Sequence, residues 1–201
     1  AALEDAFAVL RSLGAVLEDV RLRPLVAYAD AKIVVAESEI FAVHEPQLRA
    51  RPNDFGEDFL SRVLPALLFS GADYVQAQRL RRTMAAEFDR LHERFDLLVT
   101  AAPSVAPRLD QWQPVHFWER HNSFVTPFNV SGGPALVQCI GFSGGLPIAL
   151  QVAGRPFEDA LVLRAADAYE RATGWRAVRP TEAAMAAPVT AFPVPGPGPS
   201  A

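Results

Sequence analysis

The sequence has 201 residues, 50% of them hydrophobic and 21% charged, with a formal net charge of −4. That is the composition of one globular domain or one large lobe, able to bury roughly 70% of its unfolded surface. It excludes a strongly basic nucleic-acid footprint, and no apolar run reaches the ~18 residues of a membrane span, so neither nucleic acid nor membrane is an expected partner.

Leu3, Phe7, Leu10 and Leu13 fall at helical spacing, and Gly14 follows as a stop. Glu4 and Asp5, with no basic start, distinguish this opening from a secretory signal. The first residue is alanine, which points to a start inside a longer chain. Residues Ala15 to Leu22 are predicted as a short strand, with Val16, Val20 and Leu22 apolar around Glu18. Pro24 is placed to open a long helix to about His44, and Glu45 to Asp54, with two prolines, to form a loop. A helix is expected over Phe55 to Phe69, and a clearer one over Ala72 to Phe95. There Leu80, Met84, Phe88, Leu91 and Phe95 form one apolar stripe, read as core.

Asp96 to Ala102 reads as a buried strand. Pro103 to Val125 is a long irregular connection carrying Trp112 and Trp118, and long loops of this kind are often functional. Two apolar strands follow, Ala135 to Phe142 and Leu146 to Ala153, joined as a hairpin through Ser143-Gly144-Gly145. Glu158 to Thr173 is the last helix, opened by acidic residues and closed by Gly174. Residues 181–201 are rich in alanine, proline and glycine and read as a disordered tail, leaving 1–180 as the folded part.

No self-sufficient catalytic set emerges. Cys139 is the only cysteine, so no internal disulfide can form. This fits a reducing compartment, and the expected location is cytoplasmic. Cys139 lies in an apolar run and reads as a small buried hydrophobe, although a cysteine hydrolase with His116 or His121 can be drawn. Ser131 and Ser143 precede glycine pairs, but neither fits G-x-S-x-G. His44, His92, His116 and His121 lack the i, i+4 spacing of a helical zinc pair, and no phosphate-binding glycine loop is present, so no metal or cofactor is expected. Lys32, the only lysine, has no serine three residues before it and reads as a solvated helix residue.

The run Thr126-Pro127-Phe128-Asn129-Val130-Ser131-Gly132-Gly133-Pro134-Ala135 resembles the P-x-N-h-[ST]-G-x-P-A motif of the amidase-signature family. Gly145 to Asp159 is similar to that family's GLPhGhQhhGrpfdE segment, and Phe95 to Pro107 and the helix ending at Trp175 match further segments in the right order. On the residues themselves, Gly132-Gly133-Pro134 makes a rigid turn in which Asn129 can bond backbone, and Gln151 is a strand amide that must find partners.

The resemblance implies an α/β fold, specifically the C-terminal part of the amidase-signature fold: a mixed β-sheet flanked by helices. It implies hydrolysis of a carboxylic amide by serine–serine–lysine acyl transfer, in which a lysine with lowered pKa takes the proton and backbone donors hold the oxyanion. The family carries those groups on a GGSSGGS-like run that this sequence does not contain, so no catalytic residue is carried over. What carries over is a wall of the acyl pocket: Trp118, His121, Asn122 and Phe124. Asn122 stands roughly where the amidotransferase branch has a carboxylate, which favours a general amidase, and Gln138-Cys139 replaces the family's common Val-Pro. The implied partners are a small-molecule amide substrate and the N-terminal catalytic half of the same enzyme, with a homodimer left open. A non-catalytic pseudoenzyme or partner-binding subunit is the alternative. Taken alone, the chain is expected to be catalytically silent.

Overall fold

The computed structural model describes residues 1–102 and 123–179. In chain order the described helices are α1 (Ala2–Ser12), α2 (Leu25–Ala50), α3 (Glu57–Val63), α4 (Gly71–His92), α5 (Thr126–Ser131) and α6 (Asp159–Ala172). The strands are β1 (Leu97–Ala101), β2 (Ala135–Ser143) and β3 (Leu146–Gly154), and short 3-10 turns cover Pro52–Asp54, Leu64–Leu68 and Trp175–Ala177. No described helix is long and apolar enough to cross a membrane.

The sheet is ordered β1-β3-β2, with β3 in the middle. Both pairings are antiparallel, with Thr100 opposite Gln151 and Gln138 opposite Leu150. A mixed sheet was the expectation. The sheet among the described residues is antiparallel because the Gly144-Gly145 turn folds β3 back on β2, and β1 joins the other side of β3. Both glycines have positive φ, 58° and 82°, which a two-residue hairpin turn of this kind requires.

Strand alternation sorts side chains onto two faces. Leu98 and Ala153 pack with Tyr28, Met84, Phe88 and Phe128, so α2, α4 and α5 cover one face. Leu150 and Val152 pack with Ala6, Val162 and Tyr169, so α1 and α6 cover the other. The result is a helix–sheet–helix sandwich, and the predicted stripe of α4 supplies its Met84 and Phe88 to the first core. Met84 and Leu150 are fully buried. Burying side chains of this size contributes roughly 1.5–3 kcal/mol each.

Three sequence expectations change. Ala15 to Leu22 forms no strand: it carries no regular element, Val16 is 86% exposed, and no described strand pairs with it. Periodicity marks an apolar extended segment but cannot supply the neighbour that makes it a strand. The predicted loop over Glu45 to Asp54 is helical as far as Ala50, with Pro46 inside α2. Buried Leu48 and the Arg49–Glu45 ion pair at 2.7 Å hold that last turn despite the lost N–H. The helix expected over Phe55 to Phe69 is shorter and tightens into 3-10 turns at Leu64–Leu68, where Pro65 interrupts it. The hairpin, β1, α4 and α6 lie within a few residues of their predicted bounds. The proposed tail, 181–201, lies outside the described residues.

Candidate functional site around helix α5

The motif at 126–134 folds as a helix and a turn. Pro127 enters the first turn of α5, where its missing N–H costs nothing. Gly132 ends the helix in the left-handed conformation (φ 79°), the usual glycine stop. Gly133 then passes so close to β3 that a Cβ built on it would stand 2.4 Å from the Gly154 carbonyl oxygen. Gly154 in turn donates its N–H to the Pro134 carbonyl at 2.9 Å. The motif is therefore a backbone splice that fixes α5 against the end of β3. The sequence reading placed a turn at Gly132-Gly133-Pro134 and no helix before it, although Pro127 near the start of α5 and Gly132 at its end are helix signals.

Two polar groups lock α5 in place. Arg81 of α4 donates its Nε–H to the Val130 carbonyl at 3.1 Å, satisfying an orphan acceptor at the helix end. Gln151 is 3% exposed and donates its amide to the Phe124 carbonyl at 3.0 Å and to Thr100 Oγ1 at 3.1 Å. The buried amide thus finds partners, as expected. Asn129 behaves differently: it is exposed and forms no side-chain hydrogen bond among the described residues. It lies on the solvent side of α5, lining a groove of about 310 Å³ with Lys32, Glu39 and Arg81.

Of the four expected pocket residues, Trp118, His121 and Asn122 lie outside the described residues, and Phe124 lies within them. The Phe124 side chain is 43% exposed, and its carbonyl accepts the Gln151 amide.

The other candidates take structural positions. Ser131 donates its hydroxyl to the Phe128 carbonyl at 3.1 Å, and Ser143 ends β2 at the hairpin turn. His92 is buried beside the Phe95 carbonyl (Nδ1 to O, 3.3 Å), and His44 packs against Phe55 and Phe59. His116 also lies outside the described residues. Lys32 is not simply solvated, since it forms an ion pair with Glu37 at 4.0 Å. Glu37 is 3% exposed, and burial pushes its carboxyl above the usual range against the pull of Lys32 and Arg62. No cluster of three or more metal-ligating side chains occurs among the described residues. A cavity of about 950 Å³ lies away from Phe124, beyond β2 and beside the end of α6.

The splice fixes α5 to the middle strand of the sheet, which carries the buried Gln151, and the scaffold is an α/β one. The chain belongs to the Amidase family, whose model matches residues 1–163. It is 33% identical over 207 residues to a glutamyl-tRNA(Gln) amidotransferase subunit from Chloroflexus aggregans, and likewise to the corresponding protein of Moorella thermoacetica. In both cases the match covers 90% of this chain and 42% of the relative.

Among solved structures, an amidase superposes with a TM-score of 0.70 at 25% identity, over 85% of this chain and 41% of the other. A 6-aminohexanoate cyclic dimer hydrolase determined with substrate gives 0.67 at 26% identity, over 89% and 42%. The allophanate hydrolase of Kluyveromyces lactis shares the fold, with a TM-score of 0.72 at 23% identity, over 84% of this chain and 28% of that one. The chain thus spans less than half the length of these relatives and corresponds to their C-terminal portion.

Proposed function

We propose that this chain is the C-terminal portion of a general amidase, supplying a wall of the acyl pocket and part of the sheet, while the serine–serine–lysine set lies on residues outside it. The observation that carries the reading is the lopsided match: nine-tenths of this chain aligns to two-fifths of relatives whose names denote amide chemistry. The absence of a GGSSGGS-like run from the 201 residues agrees with it. So do the surfaces. Leu64, Leu67 and Leu68 are exposed on one 3-10 turn at 43%, 57% and 85%, and β1 is an edge strand among the described residues. Apolar strips and open edges of this kind call for a cover, and the N-terminal half of the same enzyme is the proposed one. Phe124, with Trp118, His121 and Asn122, is proposed to contact the acyl group of the amide.

A hydrolysis assay over aliphatic, aryl and glutamine amides tests this. The 201-residue chain is expected to be silent, and a chain extended by an upstream segment bearing the glycine–serine run to turn over simple amides. Serine-dependent turnover by the 201-residue chain alone overturns the reading. A second reading, the amidotransferase role, is favoured by the names of the curated relatives. Neutral Asn122 argues against it, and a strong preference of the extended chain for glutamine over other amides would decide in its favour.

A further inference from the structure

Gln151 interrupts an apolar strand with a side chain that the sheet itself does not need. It stands on β3 opposite Thr100 of β1, in a backbone ladder that continues through Ala101 and Leu150. Ala153, two residues on and so on the same face, packs with Phe128 of α5. A buried primary amide at such a position costs stability unless its N–H groups are bonded. Two acceptors meet them, Thr100 Oγ1 at 3.1 Å and the Phe124 carbonyl at 3.0 Å. A carbonyl can only accept, so it is the amide nitrogen that faces Phe124.

The two partners differ in what the amide gives them. Thr100 is already held beside Gln151 by the strand pairing. Phe124 lies outside the sheet, and the turn into α5 uses the carbonyls on either side of it: Ser123 accepts from the Thr126 N–H at 3.2 Å, and Val125 from the Asn129 N–H at 3.1 Å. The Phe124 carbonyl between them goes to Gln151. Pinning that carbonyl pins the peptide plane attached to the Phe124 Cα, and with it the direction in which the ring leaves the chain. The ring is half-exposed, so packing alone does not set that direction. Val137 of β2, opposite Gln151 and on the same face, is exposed as well, so this face of the hairpin stays open beyond α5.

We propose that Gln151 is a positioning residue of the acyl site: through its bond to the Phe124 carbonyl it aims the Phe124 ring at the acyl group of the amide, and so sets which acyl groups are accepted. This rests on the amidase reading, in which Phe124 contacts that group.

The test is the ratio of kcat/KM for benzamide to that for acetamide, measured on the chain extended by the upstream glycine–serine segment. Phe124→Ala is expected to lower the ratio about tenfold. Gln151→Met, close in shape but without donors, should lower it by a similar factor, chiefly through a raised KM for benzamide. Both substrates are read on one preparation, so a smaller folded fraction cancels from the ratio. If Gln151→Met does not fold, Gln151→Asn, whose amide falls one methylene short of the carbonyl, carries the test. Thr100→Val removes the other partner and keeps the bond to Phe124, so it should leave the ratio unchanged. Combining Gln151→Met with Phe124→Ala should lower the ratio no further than Phe124→Ala alone, because the ring through which Gln151 acts is gone.

A parent that turns over neither amide removes the amidase reading and this proposal with it. With an active parent, three results overturn the proposal and leave the amidase reading standing. They are an unchanged ratio in Gln151→Met, an equal fall in Thr100→Val, and a double variant whose loss is the product of the two single losses. Each of these marks Gln151 as a structural tie only.

Discussion

Gln151 and Phe124 are joined across the first core by a single amide: the Gln151 side chain donates to the Phe124 carbonyl at 3.0 Å and, with the same nitrogen, to Thr100 Oγ1 at 3.1 Å. One buried glutamine therefore ties the middle strand, its neighbour β1 and the residue leading into α5. Gln151→Leu removes the donor from both acceptors at once. It is expected to destabilise the fold by about 1–3 kcal/mol, the cost of leaving buried acceptors unpaired. Thr100→Ala, which keeps the Phe124 bond, should cost less. Urea unfolding midpoints at unchanged slope check the order.

The tie shows which parts of this fold a sequence displays. That Gln151 had to find partners was legible, because a lone amide in GLPIALQVAG has no other fate when buried. That one partner would be the backbone of Phe124 was not, since nothing local links positions 27 residues apart. The same division holds elsewhere. The stripe of α4 and the hairpin at Gly144-Gly145 follow from spacing and turn chemistry, and both were readable. The segment at Ala15 to Leu22 carries the pattern of a strand but pairs with no described strand, and a pairing neighbour is a tertiary fact. Pro46 reads as a helix end, yet buried Leu48 overrides it. Of the candidate site, Phe124 was named from the motif that follows it, whereas Arg81 carries no motif at all. It was missed because its role, an N–H given to Val130, depends on how α4 crosses α5.

Gly133→Ala is expected to be severe. A Cβ there would meet the Gly154 carbonyl oxygen at 2.4 Å, and a backbone atom on a paired strand cannot swing aside. Overpacking of this kind costs about 1–3 kcal/mol. Gly71→Ala, at an open position in the first turn of α4, serves as the control and should be neutral or mildly stabilising. Thermal melts of the two variants against the parent separate steric approach from a general glycine effect.

Glu37 gives a pH-dependent prediction. Burial is the main cause that raises its carboxyl pKa in the folded state, and Lys32 and Arg62 only partly oppose it. A raised acid binds its proton more tightly folded than unfolded. Its contribution is therefore intact below the ordinary carboxylate range and is lost as pH rises through that range and the raised folded value. Glu37→Gln removes this loss. The variant should be more stable than the parent near pH 7, with the gain fading towards pH ~4, where the parent's Glu37 is protonated in both states. Stability profiles from pH 4 to 8 check it, and a gain that grew on acidification would contradict the sign.

Phe157 combines two costs that a monomeric lobe has no reason to bear. It is the one non-glycine residue with positive φ among those described, at 69°, and its ring is 99% exposed. A left-handed conformation costs an L-residue with a Cβ roughly 1–2 kcal/mol. The ring recovers none of it by packing within the described structure. Phe157→Gly should therefore raise the stability of the 201-residue chain by somewhat less than that, because glycine loses more backbone entropy on folding. If the ring docks on the proposed N-terminal half, the same substitution should weaken association of the two halves, measured by sedimentation of the separately expressed parts. Phe157→Leu, which keeps the backbone strain and much of the apolar area, should restore association without restoring stability. Association that is equal for all three proteins would place Phe157 outside that interface and leave the strain at 157 as a property of the turn into α6.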